Sequence, residues 1–322
     1  MIDFDDLAPA PIELFGGGAD IHDVKLGSVF RRVVSETPLD GLRVAILGFP
    51  VDDGVRRNHG RPGAAQAPGA VRRVLARLNA RDAFLRAVPP RAVGDFGNVA
   101  PCASLEESQE RATRLLEALL ARGLAVVLLG GGHETARCHG EALLSLPGRA
   151  HLLNVDPHLD VRESADSRPT SGNPFRLALE AGRGRLRYTA VGARAEFNAA
   201  AYAEYVLARG GTICWSDGRA DWPAAAAMAR ELALGHEPHA GVSLDVDAVE
   251  SGAAPGSSAA SPTGISAHEF VECARAAGGH SRVRVLEMSE YAPPYDRDGQ
   301  TARVAALAVQ AFLLAGAGAA RL

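Results

Sequence analysis

The sequence predicts an α/β fold, with a mainly parallel sheet and helices packed on both of its faces. Three observations predict it. Short apolar runs of four to seven residues recur along the chain, each ending in glycine or an acid. The runs are continuously apolar, as expected of strands buried on both faces. Good helix formers fill the intervals between them, and strand alternating with helix gives a parallel sheet.

In chain order, the first run is Leu42–Leu47, before Gly48-Phe49-Pro50. Ser104-Leu-Glu-Glu107 is a capping box, the serine placed to accept from the amide of Glu107, and it opens a helix to about Arg122, ended by Gly123. Ala125–Leu129 leads to GGGH, His151–Val155 to DPHLD, and Tyr188–Val191 to GAR. Pro223 begins an alanine-rich helix, Gly241–Leu244 leads to DVD, Ser266 begins a further helix, and Val283–Leu286 leads to EMSE. Ligands of such sheets gather beyond the carboxyl ends of the strands. The small, polar stretch 251–263 follows DVD directly and reads as a loop of the active site.

The chain has 322 residues, 47% hydrophobic and 22% charged, ordinary for a globular enzyme. A formal charge of −4 gives no reason to expect nucleic acid or an acidic membrane as partner. Cys102, Cys138, Cys214 and Cys273 lie far apart with no CxxC pair, which suits a reduced, cytoplasmic setting. The start MIDFDDLAPAPIELF is acidic and lacks the pattern of a signal peptide. The apolar stretch 304–320 contains Gln310 and several glycines and reads as a packed helix.

Three strand ends carry metal-ligand chemistry. Asp156-Pro-His158-Leu-Asp160 closes one strand, and in an extended segment alternate residues project to one side. Asp245-Val-Asp247 closes another, and His133 follows a glycine turn after a third. The four carboxylates among these six residues would repel one another and be forced towards protonation without cations. Two divalent ions balance them. Oxygen and imidazole donors without thiolate favour Mn2+, with other divalent transition metals as substitutes. A pair of such ions roughly 3.5–4 Å apart can share a water and lower its pKa.

Taken together, GGGH (130–133), DPHLD (156–160), SLDVD (243–247) and EMSEYAPPYD (287–296) resemble the arginase, agmatinase and formimidoylglutamase family. That family shows GGDH, DAHxD, SxDxD and an acidic EV(S/N)P segment in the same order. The resemblance runs from about Leu42 to the end of the chain. It implies a three-layer α/β/α fold around an eight-stranded sheet, two Mn2+ per subunit, and a homo-trimer or homo-hexamer. Residues 1–40 are expected to be an N-terminal extension and 41–322 a single catalytic domain.

Within the family the likeness is strongest to formimidoylglutamase, in GVRRNHGRPGAAQAPGAVRR (54–73), GGGHE, Arg162 after the DPHLD motif, and SGNPF (171–175). The resemblance therefore implies cleavage of the amidine C–N bond of N-formimidoyl-L-glutamate, in histidine degradation. Asp160 is expected to ligate a metal and to take a hydrogen bond from the attacking hydroxide, and Glu287 to pair with the amidinium nitrogens. Arg57, Asn58, Arg61 and Arg162 are candidates for the substrate carboxylates, with Ser171 and Asn173 adding neutral hydrogen bonds.

Departures from arginases sharpen the reading. Phe175 stands where arginases carry a histidine thought to shuttle protons. GARAEFN (192–198) offers only Glu196 for a free α-amine. Gly132 replaces an aspartate expected to orient the neighbouring histidine. The alternative on the same metals is a guanidino-acid hydrolase releasing urea. An alternative of another class is a metal-poor pseudoenzyme acting as an assembly or regulatory subunit, against which the complete set of six ligands argues.

Overall fold

The computed structural model describes residues 2–16, 22–83, 86–164 and 168–318. Eight parallel strands form the sheet: β3 (Val44–Gly48), β4 (Val93–Val99), β5 (Ala125–Leu129), β6 (Ala150–Val155), β7 (Leu186–Ala193), β8 (Thr212–Trp215), β9 (His239–Asp245) and β10 (Val283–Ser289). Two short strands, β1 (Leu7–Ala8) and β2 (Arg31–Arg32), are added on β4, the first of them antiparallel. The order is β1-β4-β3-β5-β10-β9-β6-β7-β8. The first forty residues thus reach the sheet edge, and Leu26 among them is fully buried.

Side chains along each strand alternate between two apolar layers, as the period of two requires. Val44 and Ile46 of β3, and Val127 and Leu129 of β5, pack with α3 (Ala67–Leu75), α8 (Ala224–Leu234), α9 (Ala267–Gly279) and α10 (Gln300–Gly318). Ala45, Leu47, Val126 and Leu128 pack instead with α4 (Leu105–Ala121), α5 (Thr135–Leu143), α6 (Pro174–Gly182) and α7 (Ala200–Ala208). The result is the three-layer α/β/α arrangement. Ser104 caps α4 through the amide of Glu107 at 3.2 Å, and Ser266 caps α9 through the amide of Glu269 at 3.2 Å. Helix α10 is long and apolar enough to cross a membrane by length and composition, yet 72% of it is buried, against α9 and α3.

Strands β4 and β8 do not stand out in the sequence. Strand β4 reads Val-Gly-Asp-Phe-Gly-Asn-Val, with polar and glycine residues inside it. Its Asp95 is buried because Arg72 of α3 meets it at 2.9 Å, both side chains almost wholly shielded. Strand β8 is short and half-exposed at the sheet edge.

The register matters for function. Met288 of β10 lies level with Leu129 of β5, Ser289 with Asp245 of β9, and Leu244 with Val155 of β6. Four neighbouring strands therefore end in line, and the segments leaving those ends meet over the middle of the sheet.

Candidate metal centre

After β5 the chain turns through Gly130-Gly131-Gly132, pinned by Gly130 N–H donating to Met288 O at 2.7 Å and Gly132 N–H to Val51 O at 3.0 Å. The turn delivers His133, 1% exposed, over the sheet. Its Nδ1 lies 2.8 Å from Asp160 Oδ2, 2.9 Å from Asp245 Oδ2 and 3.2 Å from Asp156 Oδ2.

The DPHLD segment is not extended, contrary to expectation. An extended chain would carry Asp160 about 13 Å beyond Asp156, too far for both to hold one ion. Instead the N–H of His158 donates to Asp156 Oδ1 at 2.7 Å, forming an Asx turn, and Asp160 takes a left-handed φ of 46°. Asp247 N–H donates to Asp245 Oδ1 at 2.7 Å in the same way. The turns bring donor atoms of His133, Asp156, Asp160 and Asp245 all within 4.8 Å of one another. His158 Nδ1 lies 3.1 Å from Asp156 Oδ1, and both His158 and Asp247 face the adjoining cavity.

This constellation fits a divalent cation. His133 Nδ1 is buried among three carboxylate oxygens and makes no hydrogen bond. Burial opposes imidazolium, yet the charge of Asp245 and the contacts with Asp156 and Asp160 hold His133 well above its usual range. Burial likewise opposes charge on His158, but Asp156 above all raises it to about 10. Burial, with the charges of Asp247 and Asp156, pushes Asp245 well above the carboxylate range. The cluster draws in protons to offset its negative charge, a task a metal ion performs better.

The other side of His133 is braced. Its Nε2 lies 2.9 Å from Ser243 Oγ, which donates to Glu287 Oε2 at 2.5 Å. Phe175 packs edge-on against the His133 ring, centroids 5.3 Å apart, and against Tyr188 at 4.8 Å. The residue at the place of the arginase histidine is therefore an apolar support with no proton to move. Asn154 Nδ2 donates to Asp156 Oδ2 at 3.0 Å. Where the aspartate of GGDH would stand, a Cβ on Gly132 would come 2.1 Å from Glu134 Oε2 and 2.4 Å from Val55 Cγ2. Glu134 fills that space, accepting from Gly54 N–H at 2.7 Å.

A cavity of about 180 Å³ opens beside the cluster, lined by His158, Asp160, Asp245 and Asp247 together with Asn58, Arg162 and Ser171. Asn58 Nδ2 donates to Ser171 Oγ at 3.1 Å. Three other sequence candidates face elsewhere. Arg57 pairs with both carboxylate oxygens of Glu106, at 2.7 and 3.0 Å. Arg61 donates to the carbonyls of Ser257 and Ser258 and lies over Tyr295, holding the 251–263 loop in place. Asn173 is 1% exposed and bridges Thr170 N and Arg168 O.

Glu287 also needs correction. It lies inside β10, level with Ser243 of β9, so its side chain stands perpendicular to the sheet, fully buried. The acid that faces the cavity is Glu290, one residue past the strand, with φ of 61°. It accepts from His133 N–H at 2.7 Å and from Ser258 Oγ, and burial raises it to about 8. The signal was in the sequence: Glu290-Tyr-Ala-Pro293 has the Glu-x-x-Pro spacing of EV(S/N)P, and Glu287 does not. Glu196 is paired with Arg194, which is itself tied to Thr263.

Residues 42–315 match the family model described as Arginase family. The chain belongs to the arginase family. Among its relatives in that family, the formimidoylglutamase of Ralstonia nicotianae is 35% identical, over 90% of this chain and 91% of that one. The formimidoylglutamase of Geobacillus thermodenitrificans is 34% identical, over 84% and 83%. The crystal structure of Trypanosoma cruzi formiminoglutamase with Mn2+ matches 92% of this chain and 99% of its own, at 32% identity and a TM-score of 0.83. Bacillus subtilis formimidoylglutamase shares the arginase-family fold, with a TM-score of 0.83 at 22% identity.

Proposed function

We propose that this protein is a metal-dependent hydrolase of the amidine C–N bond of N-formimidoyl-L-glutamate, yielding formamide and L-glutamate. One observation carries the reading: a single cavity is lined both by residues of the acid cluster and by Arg162, with Asn58 and Ser171. An amidine bearing carboxylates needs this polarity. Arg162 has no ion pair among the described residues, so its guanidinium is available for bidentate carboxylate binding. Glu196, the acid the sequence offers for an α-amine, is paired with Arg194, which argues against arginine as substrate.

His133, Asp156, His158, Asp160, Asp245 and Asp247 are the proposed holders of two Mn2+. When bound, such ions supply Lewis acidity and lower the pKa of a water. The protein's own residues do the rest. Glu290 keeps acceptor lone pairs free beyond its two hydrogen bonds, and it orients the amidinium nitrogens. Asp160, at the cavity wall, receives the proton of the attacking water. A C–O bond forms at the formimidoyl carbon, the C–N bond to glutamate breaks, and the proton passes to the departing amine.

The deciding assay supplies purified, Mn2+-loaded protein with formimidoylglutamate and with guanidino acids. Formamide and glutamate are the expected products. Urea from guanidino acids, with formimidoylglutamate untouched, would establish the ureohydrolase alternative. Histidine degradation as the pathway, a cytoplasmic location and a homo-trimer or homo-hexamer complete the proposal on the family resemblance, and sedimentation tests the last of these.

A further inference from the structure

On the far side of His133 from the cavity, the chain of contacts does not stop at Glu287. His139 of α5 is fully buried, and neither ring nitrogen makes a hydrogen bond in the strict sense. Its Nδ1 lies 3.5 Å from Glu287 Oε2, the same oxygen that accepts from Ser243. Its Nε2 lies beside Gly241 of β9, where a Cβ would come 3.1 Å from it. Burial holds this imidazole neutral, at about 3.

A neutral imidazole carries one N–H. On Nε2, that proton would point at Gly241, and the Nδ1 lone pair would oppose a carboxylate oxygen. On Nδ1, it lies on the side of Glu287, whose Oε2 is 3.5 Å from that nitrogen. Electrostatics therefore selects the Nδ1–H form, and Glu287 Oε2 accepts from the Ser243 hydroxyl with the positive edge of the His139 ring 3.5 Å away.

The consequence reaches His133. A serine hydroxyl beside an imidazole has two arrangements. It can accept from Nε2–H and donate onward, or it can donate to Nε2 and leave the imidazole proton on Nδ1. The second places a proton where three carboxylates converge on His133, in the position of a ligand lone pair. The first leaves that lone pair free. We propose that His139 is a positioning residue, which keeps Glu287 an acceptor for Ser243 and so keeps His133 in the Nε2–H form that can ligate a metal ion. The inference rests on the assignment of the acid cluster as a metal site.

The test uses full-length protein and Mn2+ itself. His139→Asn retains an N–H near the position of Nδ1, whereas His139→Leu has similar shape and no donor. Free Mn2+ is titrated by electron paramagnetic resonance, and urea unfolding of the metal-free variants is measured in parallel. The expected result is Mn2+ affinity about 10–100-fold weaker in His139→Leu. His139→Asn should stay within about threefold of the parent, because the donor is kept. A packing role predicts the reverse order: Leu better tolerated than Asn in unfolding, with Mn2+ affinity unchanged in both. That outcome, or equal weakening by both variants, overturns the proposal. If His139→Leu does not fold, Glu287→Gln takes its place, and unchanged Mn2+ affinity in it overturns the proposal too. Failure of the parent protein to bind Mn2+ would instead reject the metal-site assignment, so the two failures are separable.

Discussion

Placing a methyl group on Gly132 tests how the glycine turn, Glu134 and His133 depend on one another. The Cβ of Gly132→Ala would lie 2.1 Å from Glu134 Oε2 and 2.4 Å from Val55 Cγ2, inside the 3.0 Å that real Cβ atoms keep. Overpacking of this kind costs about 1–3 kcal/mol. The carboxylate is the more mobile neighbour, but moving it takes the acceptor from Gly54 N–H, 2.7 Å away and buried. A buried donor left unpaired adds about 1–3 kcal/mol. Gly132→Ala should therefore destabilise the metal-free protein by about 2–6 kcal/mol in urea unfolding, as the sum of these terms. In a Glu134→Ala background much of the clash is gone and Gly54 has already lost its partner. The two substitutions should then be coupled by about 0.5–3 kcal/mol, the double variant being less damaged than the sum. Costs that simply add, or a harmless Gly132→Ala, would refute the reasoning that Glu134 occupies the place of the aspartate in GGDH.

Phe175→Ala removes a fully buried ring that supports His133 and should cost about 3–5 kcal/mol in unfolding, together with weaker Mn2+ binding by titration. Arg162→Ala should lower kcat/KM for formimidoylglutamate about 10–100-fold through loss of a charged hydrogen bond. Hydrolysis of formamidine, which has no carboxylate, should be unaffected by that change. His151 is held by burial at about 4, below its unfolded value of about 6.5, with Nε2 2.8 Å from Thr189 Oγ1. The unfolded chain therefore binds this proton first, so its contribution is complete above about pH 6.5 and is lost as pH falls towards 4. Unfolding curves of His151→Gln should be flatter than the parent's in that window. Chelation of bound metal should lower the unfolding temperature, and Mn2+ should restore it, because carboxylates that a cation had screened face one another again.

Much of this protein was legible residue by residue. The apolar runs marked six of the eight parallel strands, Ser104 and Ser266 marked helix starts, and the histidine and aspartates of the acid cluster sit in short motifs. These features are local, because propensity, capping and donor chemistry act within a few residues. Strand β4 was hidden because its Asp95 is tolerated only through Arg72, 23 residues away. The sequence also carried the Glu-x-x-Pro spacing of Glu290, while the depth of Glu287 behind Ser243 came from the pairing of β10 with β9.

What the sequence by itself determined is the layered α/β design and the chemical kind of the site, because hydrophobic period and donor type are written in neighbouring residues. Tertiary structure alone decided which cations stay free for a substrate. Arg57 is taken by Glu106, 49 positions on, and Arg61 by a loop 196 positions on, while Arg162 is left facing the cavity. A long charged side chain goes to the best acceptor within reach, and the fold alone decides which acceptors those are.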